Sequence, residues 1–154
     1  MPAPSALDLT VAVVATADAL LRESQRLFRP HGLTAAQFNV LNLLADQPAG
    51  LSQREIGDVL VVDRSNVTGL LDRMGAAGWV RRRDDPADRR VYRVTLTPAG
   101  RRLWARVEPR YRAVAGQVAG GLTAAARAQC LGALRHMEQA AGRWTLPAER
   151  PAPG

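Results

Sequence analysis

"LSQREIGDVLVVDRSNVTGLLDRMGAAGWVRRRDDPADRRVYRVTLTPAG", residues Leu51–Gly100, contains two short helical patterns, a charged run and an alternating strand that stops at a helix start. Ser52 and Glu55 stand at the capping-box spacing, where a hydroxyl and a carboxylate satisfy each other's orphan backbone N–H groups. This predicts a helix from Ser52 to about Leu60. After "VVD", a second helix is expected from Asp63 to about Ala77, closed by Gly78. Within it, Val67, Leu70, Leu71 and Met74 recur at helical spacing and form one apolar stripe. The other face is Arg64, Ser65, Asn66, Thr68, Gly69 and Arg73. Trp79–Arg83 and Val91–Leu96 read as a strand pair, the second alternating Tyr92, Val94 and Leu96 against Val91, Arg93 and Thr95. The loop Asp84–Arg90 joins them, with Pro86 stiffening the turn. Thr97 followed by Pro98 is a hydroxyl N-cap with proline at the first helical position, where its missing N–H costs nothing.

Outward from this stretch the chain reads as helical. One long helix is expected from about Asp8 to Phe28 and another from Thr34 to about Asp46, where Thr34 and Gln37 form a second capping box. After the strand pair, two more helices run from about Pro98 to Val118 and from Thr123 to Arg143, before the proline-rich "TLPAERPAPG". The 154 residues, 47% hydrophobic and 23% charged, suffice for one substantial core and lie in the ordinary globular range. No apolar run reaches the roughly 18 residues a membrane span needs, and the first residues lack a secretory signal, so a cytoplasmic location is expected. One cysteine and two histidines cannot supply a metal cluster, so neither a metal nor another cofactor is expected. No nucleophile, base and orienting group assemble from spacing, which argues against an enzyme.

The formal charge of +7 points to an anionic partner, although its distribution is uneven, with residues 1–50, 51–100 and 101–154 balancing at −1, +2 and +6. All 21 basic residues are arginine, so the choice of arginine over lysine says little at any one site. The arrangement is more informative. Two short helices joined by a tight turn fit a helix-turn-helix, whose second member enters the DNA major groove with its N-terminal residues on base edges. That helix start offers unpaired N–H groups and positive dipole to phosphates, and Arg64, Ser65, Asn66, Thr68 and Arg73 can bond bases or backbone. A polar face on an isolated amphipathic helix is usually only solvated; the capped helix before it and the strand pair after it favour DNA. The strand pair is then a wing whose tip arginines, Arg89 and Arg90, would enter a neighbouring minor groove, with Asp88 orienting one of them. Arg81, Arg82, Arg83, Arg89, Arg90 and Arg93 against three acids leave this element at +3.

With these residues in place the chain resembles the MarR family of bacterial transcription regulators. The family's wing signature appears as Asp88, Arg90, Val94, Leu96, Thr97 and Gly100, and residues 51–83 look like its helix-turn-helix and first wing strand. Gly57 and Gly75 depart from it, standing where alanine and an acid are commoner. The resemblance implies a mainly α fold with a small β-wing: a winged helix-turn-helix over 33–97, dimerisation helices over 7–30 and 98–144, and a tail over 145–154. It further implies a homodimer that binds double-stranded DNA at a pseudo-palindromic operator, most often as a repressor released by a small phenolic or lipophilic ligand. His31, Phe38 and Trp104 lie where such a ligand would bind, yet aromatic residues at helical spacing are ordinarily core. Three alternatives stand beside this reading: an architectural DNA binder without sequence preference, an oxidant sensor acting through Cys130, and a protein-interaction module that reuses the winged helix with no DNA role. The second is weakened by Ala126, Leu131 and Leu134, among which Cys130 would be a small buried hydrophobe.

Overall fold

Ser5 starts the first helix slightly upstream of the expected position. Its hydroxyl accepts from the Asp8 N–H and the Asp8 carboxylate accepts from the Ser5 N–H, a capping box that places α1 at Ala6–Phe28. The computed structural model describes residues 3–60, 64–85, 88, 91–143 and 145, with Arg64 and Ser65 given by their backbone alone. Asp63, Pro86, Arg89, Arg90 and the tail beyond 145, all used in the reading above, lie outside the described residues.

After α1 a short 3-10 turn, Arg29–His31, ends at Gly32, whose φ of 69° is the left-handed conformation that closes helices. The Thr34–Gln37 capping box then opens α2, Ala35–Ala45. Arg101 donates through both Nη atoms to the Ala45 carbonyl, 3.2 Å away, meeting the unpaired C-terminal end of α2 with positive charge. The Ser52–Glu55 box opens α3, Gln53–Val59, and α4 follows at Arg64–Ala76. The strands are β1, Leu51–Ser52; β2, Val80–Asp84; and β3, Tyr92–Leu96. Last come α5, Pro98–Ala119, and α6, Ala124–Ala141, the latter capped by the Thr123 hydroxyl. The expected helices and the β2–β3 pair are therefore present, with ends moved by a residue or two.

β1 was not expected. It makes the sheet three-stranded and antiparallel in the order β1-β3-β2, with Leu51 opposite Val94 and Ser52 opposite Arg93. The β2–β3 register pairs Val80 with Leu96 and Asp84 with Tyr92. Alternation on β3 buries Val94 at 1% exposure, but Tyr92 on the same face is 55% exposed because it has run past the core toward the wing tip.

The chain divides into two units, Met1–Ala113 and Val114–Gly154. The first holds the core: Phe28, Leu33, Phe38, Val40, Leu41 and Leu44 beside Ile56, Val67, Leu71, Met74, Val94 and Val107. Phe28 and Phe38 stack with centroids 4.6 Å apart, and the Tyr111 ring lies 4.9 Å from Phe38. Such contacts contribute about 0.5–1.5 kcal/mol each beyond burial. By contrast Leu7, Val11, Val14 and Leu21 on α1 and Leu131 and Leu134 on α6 are exposed. Among the described residues, no helix is long and apolar enough to cross a membrane.

Candidate nucleic-acid interface

α4 is amphipathic as its spacing predicts. Val67, Leu70, Leu71 and Met74 are buried, while Asn66, Thr68, Asp72 and Arg73 are exposed on the other side. Burying one stripe turns the polar face outward, so the side chains able to meet base edges are presented by the packing itself. Thr68 has a partner that no spacing argument supplied: Gln53 Nε2 donates to its hydroxyl at 2.5 Å, which joins the start of α3 to α4. Gln53 hid within the "SQRE" capping box, where only Ser52 and Glu55 carry the capping signal. A groove of about 450 Å³, lined by Gln53, Arg54, Gly57 and Val67, runs between the two helices. The Arg73 side chain folds back over its own helix, and a Cβ at Gly69 would sit 3.4 Å from Arg73 Nη1. Arg64 and Ser65 open α4, which places them at its positive end; their side chains lie outside the described residues.

On the wing, the arginines divide by role in a way their count did not anticipate. Arg82 Nη2 donates to Asp72 Oδ1 at 2.6 Å, tying β2 to α4. Arg81 Nε donates to Thr95 Oγ1 at 3.4 Å. Arg93 faces inward. Its Nε donates to Asp85 Oδ2 at 2.6 Å and its Nη1 to Glu55 Oε2 at 3.2 Å and to the Gly50 carbonyl at 3.3 Å. Asp85 is only 6% exposed. Its hydrogen bond holds the Arg93 guanidinium above its ordinary value. Arg83 is exposed and has no partner among the described residues.

One expectation is therefore corrected. Arg93 is engaged within the fold, because two carboxylates and a carbonyl take three of its five N–H donors and the carboxylates offset its charge. Asp85 seats Arg93, while the arginines that Asp88 is expected to orient, Arg89 and Arg90, lie outside the described residues. The Asp88 N–H donates to Asp85 Oδ1 at 3.2 Å and its carbonyl accepts from the Val91 N–H at 2.9 Å. Arg89 and Arg90, the expected groove residues, lie outside the described residues.

Thr97 and Gly100 act structurally. The Thr97 hydroxyl donates to the Gly78 carbonyl at 2.6 Å and accepts from the Gly100 N–H at 3.0 Å, so one oxygen caps α5 and pins it to the turn before β2. A Cβ at Gly100 would collide with the Trp79 carbonyl, which is why no side chain fits there.

Of the residues in the region of a possible ligand, Phe38 is core, and Trp104 is half-buried with Nε1 donating to Asn42 Oδ1 at 3.1 Å. His31 Nε2 is buried with no hydrogen-bond partner among the described residues. Cys130 is exposed, contrary to its expected burial. No group of three histidines, cysteines or acids among the described residues could hold a metal.

A family model described as MarR family matches residues 31–91. The HTH-type transcriptional regulator TtmR of Methylorubrum extorquens is 37% identical over 94% of this chain and 76% of its own length. The transcriptional activatory protein BadR of Rhodopseudomonas palustris is 37% identical over 68% of this chain and 61% of its own length. Among solved structures, Bordetella bronchiseptica BpsR is 30% identical with a TM-score of 0.75, covering 90% of this chain and 98% of that one; it is described as regulated in DNA binding by 6-hydroxynicotinic acid. With a capped helix-turn-helix, an adjoining three-stranded wing and relatives matched over most of its length, the chain belongs to the MarR family of DNA-binding transcriptional regulators.

Proposed function

We propose that the protein is a sequence-specific regulator that binds a pseudo-palindromic operator as a homodimer and represses until a small phenolic or other lipophilic ligand releases it. The observation that carries this reading is α4, whose exposed Asn66, Thr68 and Arg73 stand opposite a buried apolar stripe and beside the wing. On this reading 33–97 reads DNA, with Arg64 and Ser65 at the start of α4, Arg89 and Arg90 at the wing tip, and Asp88 steadying the tip. Residues 7–30 and 98–144 join two copies, and 145–154 is a tail. The exposed Leu7, Val11 and Val14 of α1 and Leu131 and Leu134 of α6 support the pairing, since a second copy would bury them. The orphan His31 Nε2 supports a ligand with a hydrogen-bonding group, and the regulation of BpsR by 6-hydroxynicotinic acid is a precedent in a relative. Such a ligand acts by preferring one spacing of the paired recognition helices over another.

Selection from a random duplex library tests the core of this reading. Recovery of a two-fold site, with half-sites about one helical turn apart, is expected. Enrichment of no sequence at all would leave an architectural binder instead. A transcription assay on the recovered site reads the sign of control, which matters because BadR bears an activator's name.

A further inference from the structure

A wing is a short strand pair, and such ribbons twist readily unless something fixes them to the domain. Among the described residues, two ion pairs bridge the wing to the helix-turn-helix. Arg82–Asp72 is about half exposed on both sides and, like most such pairs, holds little. Arg93 is different. One side of its guanidinium meets Asp85, whose side chain is 8% exposed, and the other meets Glu55. Each acceptor is itself anchored: Asp85 Oδ1 accepts the Asp88 N–H in the tip loop, and Glu55 Oε2 accepts the Ser52 N–H at the start of α3. A continuous chain of hydrogen bonds thus runs from the tip loop, through one guanidinium on β3, to the first helix of the helix-turn-helix. The Gly50 carbonyl adds a third acceptor at the edge of β1. Only a planar fork with several donors in fixed directions spans these three acceptors, a geometry that a lysine ammonium does not reproduce.

We propose that Arg93 is a positioning residue for DNA binding, fastening the wing through Asp85 and Glu55 so that the tip meets DNA at a fixed place relative to α4. It touches no phosphate. This rests on the reading above in which the wing tip contacts the duplex, and the two can fail separately.

The test is a double-mutant cycle on operator affinity, measured over a range of salt with dimers whose circular dichroism matches the wild type. Arg93→Gln should weaken binding roughly tenfold, the scale of one charge-assisted hydrogen bond, with the slope of log K against log salt unchanged. Arg93→Lys, which retains the charge and guards against misfolding of the glutamine variant, should lose as much. Arg90→Ala should weaken binding and flatten the salt slope by about 0.9, as one lost phosphate contact does. Combined with Arg90→Ala, either Arg93 variant should cost little more, because a tip that no longer grips gains nothing from being held. A flattened slope in Arg93→Gln, or full affinity in Arg93→Lys, makes Arg93 an ordinary phosphate contact and overturns the proposal. Additive losses with an effective Arg90→Ala overturn the positioning role alone. No effect of Arg90→Ala on affinity or slope overturns the wing contact and, with it, the purpose of the clamp.

Discussion

Gly50→Ala gives a direct test of the junction that holds the wing to the domain. Gly50 has φ of +77°, and a Cβ there would lie 2.5 Å from the Val94 carbonyl oxygen and 2.6 Å from Thr95 Cγ2. An ordinary contact begins at 3.4 Å, so β1 must move from β3 by about 0.9 Å, the difference between 3.4 and 2.5. The pairing of Leu51 with Val94 begins at the next residue, and the Gly50 carbonyl accepts from Arg93, so the movement loosens both. Left-handed backbone costs a non-glycine residue about 1–2 kcal/mol, and one weakened hydrogen bond adds about 1, for a total of about 2–3 kcal/mol. In a chain of this size that lowers Tm by about 4–12 °C. Urea denaturation followed by far-UV circular dichroism, at fixed protein concentration because a dimer gains stability by mass action, should show a lower midpoint at unchanged m-value. Gly75→Ala is the control. It is exposed on α4, nothing lies within 4 Å of its Cβ position, and helix propensity alone should stabilise it by about 0.5–1 kcal/mol. A Gly50→Ala variant as stable as the wild type would refute the reasoning.

Phe38→Ala removes the ring between Phe28 and Tyr111 and should cost about 3–5 kcal/mol, read in the same titration together with the loss of near-ultraviolet dichroism. Asn66→Ala, on the exposed face of α4, should leave stability within about 0.5 kcal/mol but broaden the sequences recovered from a duplex library, at about 1–3 kcal/mol on the preferred one. Acid should weaken the fold through its capping boxes. The Ser52 backbone N–H and then its hydroxyl hold Glu55 below the usual carboxylate range, as the Ser5 hydroxyl and then its backbone N–H hold Asp8. The folded chain therefore binds fewer protons at these groups than the unfolded one. Their contribution is complete above the ordinary carboxylate values near pH 4 and is lost as pH falls through the depressed ones. Tm measured from about pH 6 to pH 3 should fall less steeply in Glu55→Gln than in the wild type; equal slopes would remove Glu55 from that account.

Elements set by neighbouring residues were legible, and those set by distant ones were not. Ser52 with Glu55 and Thr34 with Gln37 sit three apart, within one helical turn, so their caps could be read without knowing the rest of the fold. The burial of Val67, Leu70, Leu71 and Met74 followed from their period. Balancing the wing arginines against the wing's own acids missed that Asp72 on α4 takes up Arg82 and that Glu55 on α3 joins Asp85 in holding Arg93. The same local reading put Cys130 inside, from its apolar neighbours along α6, whereas exposure depends on what stands opposite.

By itself, the order of residues determined where helices begin, which stripe of α4 turns inward and that a strand pair follows, because each depends on spacing within a few residues. Tertiary structure alone decided that Leu51–Ser52 would pair with β3, that Arg93 would be consumed by Asp85 and Glu55, and that Gly50 and Gly100 would be required. The physical reason is that a hydrogen bond or a close approach belongs to two positions at once. When those positions are far apart in the chain, only the packed core brings them within reach.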